Sequence, residues 1–173
     1  MVRDEMSATS QAGKKGDDRV SNDAAFRELK SAYERKGVRV AVEYLNSLTP
    51  HRFTSLFRFD GDTLRKVVFF DRQNPGEDHC EDIPVTASYC IFVRDRGETF
   101  TVENSQSDER VAAHPKRDTF QCYCGVPLLD RDNRMFGSIC HFDFEPAKVS
   151  PLDIELLESM ARILKAGKEL SVK

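Results

Sequence analysis

Thiols and imidazoles have the widest chemical reach in this chain. It carries five cysteines, Cys80, Cys90, Cys122, Cys124 and Cys140, and four histidines, His51, His79, His114 and His141. His79 and Cys80 are neighbours, and a Cys–His pair can generate a nucleophilic thiolate. Adjacency does not supply the hydrogen bond that activation needs, so no catalytic residue is assigned. Cys122-x-Cys124 and His141 offer three zinc donors if their strands pair. A fourth ligand is not evident, and alternating strand residues commonly pack into a core, so no metal is expected. Cys90 sits beside Ile91 and Phe92, and Cys140 lies in an apolar run. Such thiols behave as small hydrophobes or line a pocket. Tyr123 pairs an apolar ring with a polar tip, which suits a mixed ligand site. Asp108 and Arg110 can cap and brace a helical turn, and Asp143 can fix the turn after a strand. No glycine-rich phosphate loop, paired metal-binding histidines or nucleophile elbow is present.

These residues need a scaffold, and 173 residues suffice for one ordinary domain. Lysine and arginine total 26 against 29 acidic residues, a formal charge of −3. That balance gives no reason to expect nucleic acid or an anionic membrane as partner. No apolar run approaches the roughly 20 residues of a membrane span. No signal-like segment opens the chain, so a cytoplasmic location with reduced thiols is expected. Residues 1–21 are polar, mixed in charge and without an apolar stripe, and are expected to form a flexible tail before a single domain over 22–173.

Helical periodicity starts at a cap on Asn22 or Asp23, breaks at Gly37, restarts at Val38 and stops at Pro50. Phe53, Phe57 and Phe59 then alternate up to Asp60-Gly61-Asp62, and Leu64–Phe70 follows, a hairpin pattern. Residues 71–84 form a long polar loop. Thr86 can cap a short helix through Val93, Glu98–Glu103 reads as a strand, and Gln106–Ala113 as a helical turn. Phe120–Leu129 and Met135–Phe144 form a second hairpin. Ser150-Pro151 opens a last helix with Asp153 and Glu155 near its positive end.

Pairing Leu129 with Arg134 sets Cys122 opposite His141 and Tyr123 opposite Cys140. One face then carries Phe120, Cys122, Cys124, Val126 and Leu128 with Met135, Ile139 and His141. The other carries Tyr123, Pro127 and Leu129 with Phe136, Cys140, Phe142 and Phe144. Both faces are apolar, whereas a sheet with one wet face alternates more cleanly. Something must cover the second face, and residues 71–115 are the material left. A loop-covered sheet face is a common place for a small-molecule pocket. The pattern implies α+β, an antiparallel sheet covered by terminal helices.

Ser88-Tyr89-Cys90, Asp108-Glu109-Arg110-Val111, His114-Pro115, Tyr123-Cys124-Gly125-Val126-Pro127-Leu128 and Gly137-Ser138-Ile139-Cys140 with Asp143 follow one another in an order that resembles a GAF domain. The resemblance spans about Gly37 to Leu170 and is to GAF domains of bacterial sensor and signalling proteins. It implies a six-stranded antiparallel sheet, terminal helices on one face, a ligand pocket under loops on the other, and dimerisation through the terminal helices. It makes Tyr89, Cys90, Asp108, Arg110, Tyr123 and Cys140 the candidate ligand contacts. Members bind varied molecules, so the cofactor is unknown. No kinase, cyclase or helix-turn-helix segment fits beside the domain, which implies a stand-alone module.

Three functions are in play. A sensory or regulatory module would bind a small molecule. A thiol enzyme similar to the free methionine-(R)-sulfoxide reductases is suggested by the ten-residue spacing of Cys80 and Cys90. His114-Pro115-Lys116 stands where that branch has a third cysteine, and Cys140 and Phe142 replace its acidic pair. A structural dimerisation module with an empty cavity is the third. Surplus apolar arc on the terminal helices points to a homodimer, with Leu156 and Ile163 among the contacts expected.

Overall fold

Gly37 divides the N-terminal helical stretch because its φ of 86° costs any residue with a Cβ. In the computed structural model, which describes residues 12–78 and 80–167, α1 (Ala12–Lys36) and α2 (Val38–Ser47) meet there. The helix begins at Ala12, ten residues before the cap expected at Asn22 or Asp23. Apolar periodicity detects only the part of a helix that is buried, and among the residues whose side chains are described the first buried ones are Ala25 and Leu29. The remainder of the expected tail, residues 1–11, lies outside the described residues.

Six antiparallel strands follow: β1 (Phe53–Asp60), β2 (Thr63–Asp71), β3 (Ile83–Pro84), β4 (Phe100–Val102), β5 (Cys122–Leu129) and β6 (Met135–Asp143). Their spatial order is β3-β2-β1-β6-β5-β4, so both hairpins meet at the centre through β1 and β6. The Asp60-Gly61-Asp62 hairpin is where the alternation placed it. The second hairpin is two residues out of the expected register: Cys124 faces His141, and Cys122 faces Asp143. An even slip leaves each side chain on its face, so the division of faces survives across the strand centres. A bulge at Leu128/Leu129 pairs Leu129 with Met135 and reverses the hairpin tip. Phe136 accordingly packs under the helices, contrary to the sequence pattern, and Phe120, before β5, joins the opposite face.

One face is roofed by α1, α2 and α4 (Pro151–Ala166), whose Leu29, Val42, Leu45, Leu157 and Met160 meet Leu56, Val126 and Ile139 from the sheet. Ser150 and Asp153 form a reciprocal cap on α4: the Asp153 amide donates to the Ser150 hydroxyl at 3.1 Å and the Ser150 amide to the Asp153 carboxylate at 2.9 Å. Leu156, expected at a dimer contact, is 2% exposed inside this core, whereas Ile163 is half-buried at its rim. The surplus arc of α4 is thus absorbed partly by its own chain.

The other face is covered by α3 (Cys90–Arg96) and irregular chain. The helix expected from Thr86 is instead a tight 3-10 turn (Val85–Ala87), and α3 starts four residues later, where the Cys90 amide donates to the Ser88 hydroxyl at 3.1 Å. Among the described residues no helix is long and apolar enough to cross a membrane.

Candidate functional site: an aromatic cavity on the second sheet face

The odd-numbered aromatics of β1 all point away from the helices. Phe53 and Phe57 line a cavity of about 250 Å³ with Phe69 from β2, Tyr123 from β5 and Phe142 from β6. Phe120 and Phe144 bound it at one end, and Cys80, Ile83, Ala87, Ser88 and Tyr89 close it from above. Packing among the walls fixes their rotamers: Phe53 stacks on Phe142 at 5.0 Å, and Phe120 meets Phe142 edge-on at 5.2 Å. Arg52 lies outside the wall, 4.7 Å from the centre of the Phe53 ring, and is tied to Asp71 by two 2.8 Å hydrogen bonds. Among the described residues no charged side chain lines the cavity.

Tyr123 and Tyr89 have their hydroxyls committed elsewhere. Tyr89 donates to the Phe120 carbonyl at 2.9 Å, and Tyr123 donates to Cys90 Sγ at 3.2 Å. Tyr123 reaches Cys90 by lying flat over Gly125; a Cβ at that position would fall inside the phenol. The glycine of the Tyr-Cys-Gly-Val-Pro-Leu run therefore exists for a close approach in mid-strand.

Behind Tyr123, Cys90 and Cys140 are buried neighbours. Burial pushes the Cys90 thiol up, but hydrogen bonding with Cys140, Ser88 and Tyr123 outweighs it and brings it to about 6. Burial and the adjacent Cys90 push Cys140 the other way. Cys80 is at the cavity, and burial raises its thiol.

Tyr89 and Tyr123 thus line the cavity, and Cys90 and Cys140 lie behind Tyr123 without lining it. Asp108 and Arg110 do not join them. Asp108 caps a 3-10 turn (Glu109–Val111), and Arg110 is paired with it at 2.6 Å and donates to the Thr101 carbonyl at 2.7 Å. Both line a polar surface trough of about 860 Å³ that also includes Glu103 and Lys148. That trough is larger but more open, and its Asp108–Arg110 and Glu103–Lys148 charges are paired with one another, so the more sheltered aromatic cavity is the better site. The aromatics of β1 and β2, absent from the candidate contacts, supply most of the walls; their alternation was visible, but not which face would stay unfilled.

Cys124 and His141 pair directly, yet on the helix-packed face. His141 Nδ1 shares a 2.7 Å hydrogen bond with Thr54, itself held by Asn46 at 2.8 Å, and its ring stacks on His51 at 5.7 Å. Burial pushes Cys122 and Cys124 up to about 12. Among the described residues no group of three His, Cys, Asp or Glu side chains is arranged to hold a metal ion. The His79–Cys80 pair cannot be placed, since His79 lies outside the described residues.

His114 packs on Tyr89 at 4.6 Å with Nε2 3.2 Å from the Ser88 carbonyl oxygen.

No protein-family model matches the chain, and no curated protein matches it by sequence. Solved structures do match in shape. Free methionine-R-sulfoxide reductase from Neisseria meningitidis, solved with its substrate, superposes with a TM-score of 0.66 at 17% identity, over 95% of this chain and 94% of that one. The GAF domain of an Acinetobacter phosphoenolpyruvate-protein phosphotransferase gives 0.65 at 14%, over 84% and 90%. A phycocyanobilin-bound GAF domain from a cyanobacterial phytochrome gives 0.62 at 9%, over 83% and 91%. At such identities the likeness is one of architecture, and sheet order, helical roof and covered second face together give this chain the GAF-like fold.

Proposed function

We propose that this chain is a sensory or regulatory module of the cytoplasm that binds a small molecule in the aromatic cavity and passes occupancy to its terminal helices as a homodimer. The observation that carries this is a half-sheltered space of about 250 Å³ walled by aromatic rings where a sheet face would otherwise be filled. Tyr89 and Tyr123 touch the ligand; Cys90 and Cys140 hold Tyr123 in place. Asp108 and Arg110 brace the covering segment. Mass spectrometry of the denatured, extracted chain should find a copurifying compound. A metabolite panel should raise Tm, since a ligand at a hundred times its Kd adds about 2.7 kcal/mol. No compound and no shift across the panel would count against binding.

A thiol reductase is the second reading, favoured by the lowered Cys90 thiol behind Tyr123. Cys90 does not line the cavity, so substrate would have to displace Tyr123. Thioredoxin-dependent reduction of free methionine-(R)-sulfoxide that vanishes in Cys90→Ser and Cys80→Ser would establish it. Turnover unchanged in both variants, or none at all, would remove it.

A further inference from the structure

The polar side chains that line the aromatic cavity are already bonded within the protein. Tyr89 donates its hydroxyl to the Phe120 carbonyl at 2.9 Å, and Tyr123 donates to Cys90 Sγ at 3.2 Å. The Ser88 hydroxyl accepts from the Cys90 amide at 3.1 Å, and the Cys80 thiol points at the Glu81 carbonyl oxygen, 3.6 Å away. The rest of the lining is Phe, Ile and Ala. Cations beside the wall are spent as well. Arg52, 4.7 Å from the centre of the Phe53 ring and 5.4 Å from that of Phe144, is bound to Asp71 at 2.8 Å. Lys66, whose charge acts on the Cys80 thiol, is bound to Asp78 at 3.0 Å.

We propose that the cavity takes an uncharged, apolar molecule of one or two small rings, held by contact with the aromatic walls and by no hydrogen bond to them; this rests on the cavity being a ligand site. A dry cavity of about 150 Å³ already accepts benzene, so about 250 Å³ admits one or two rings. An ammonium, carboxylate or phosphate would shed water against walls that offer it no counter-charge. A hydrocarbon ring has no such loss, and it buries apolar surface against Phe53, Phe57, Phe69 and Phe142. A free amino acid, zwitterionic at neutral pH, falls on the excluded side.

Four probes share one ring and differ in polarity: toluene, p-cresol, benzoate and benzylammonium. Calorimetric titration of the full chain at neutral pH should show toluene binding and both ions at least about tenfold weaker. The p-cresol affinity should be no tighter than that of toluene, because the wall hydroxyls are taken. Ala87→Phe, which puts a ring into the cavity from its half-buried lid, should abolish toluene binding while circular dichroism stays that of the wild type. Should that variant fail to fold, nuclear Overhauser contacts from toluene to the Phe57 and Phe142 rings of the wild-type chain locate the probe instead. Either ion within tenfold of toluene, p-cresol tighter than toluene, or no toluene binding to folded protein overturns the proposal. Methionine sulfoxide or cyclic AMP bound instead, and lost in Ala87→Phe, would overturn the ligand class and keep the site. Toluene binding that folded Ala87→Phe leaves intact, or that makes no contact with those rings, would overturn both.

Discussion

Tyr123 illustrates how one residue depends on the smallness of another. Its ring occupies the space a Cβ at residue 125 would need, and that position brings its hydroxyl to Cys90. Gly125→Ala should destabilise the fold by about 1–3 kcal/mol in urea denaturation, the usual cost of overpacking. In a Tyr123→Leu background the same alanine should cost much less, and additive effects would refute the overlap. His51 and His141 make a second residue-level case. Burial pushes both imidazoles down, His141 to about 3, with neighbouring Asp153 pulling upward and Arg72 downward. Unfolded, they titrate near 6.5, so below that pH the unfolded chain binds more protons. The contribution of His141 is intact above pH 6.5 and drains as pH falls toward 3, by up to about 1.4 kcal/mol per pH unit, and that of His51 is lost in the same direction. Asp71, held down chiefly by Arg52, adds its own loss only below about pH 4. Measured stability should therefore already decline between about pH 6 and 4, and His141→Gln should flatten that limb.

At the scale of elements, α4 shows a cap acting on a whole helix. Ser150 and Asp153 satisfy each other's backbone amides, and Pro151 presets the first turn. Ser150→Ala should cost about 0.5–2 kcal/mol. Because Asp153 is 3% exposed, Asp153→Ala should cost at least as much, read by the same denaturation midpoint. Equal stability of all three proteins would mean that packing of Leu157 and Met160 alone holds α4. On the opposite face, α3 and its flanking turns do not fill the sheet, and the cavity is what they leave.

For the whole molecule, association through the terminal helices is the open consequence. Phe26, Val38, Tyr44, Ile154 and Ile163 are only partly buried at the rim of the helical layer. A two-fold contact between such rims would complete their burial. Light scattering at high micromolar concentration should report a dimer, and Ile163→Glu should weaken it without unfolding the chain. Leu156→Glu is expected to unfold the monomer instead, since it puts a charge into the core. A wild-type chain that stays monomeric would end the dimer proposal and with it this route of signal output.

Local patterns carried much of the architecture. Alternation gave β1, β2, β5 and β6, the Asp-Gly turn gave the first hairpin, Gly37 gave the helix break, and Ser150-Pro151 gave α4, because each depends on neighbours in the chain. Two apolar faces on one hairpin also required a covered second face, and the Tyr89 and Tyr123 that line the cavity were singled out. Tertiary structure decided the rest. The register of β5 and β6 was set by a bulge, where two pairings differing by two residues bury the same faces. Whether Asp108 and Arg110 joined Tyr123 or braced a distant turn depended on how residues 103–121 ran over the sheet. The Tyr89 and Tyr123 hydroxyls were turned from the cavity by contacts between segments far apart in sequence, since burial and hydrogen-bond partners are properties of the assembled face and not of any segment.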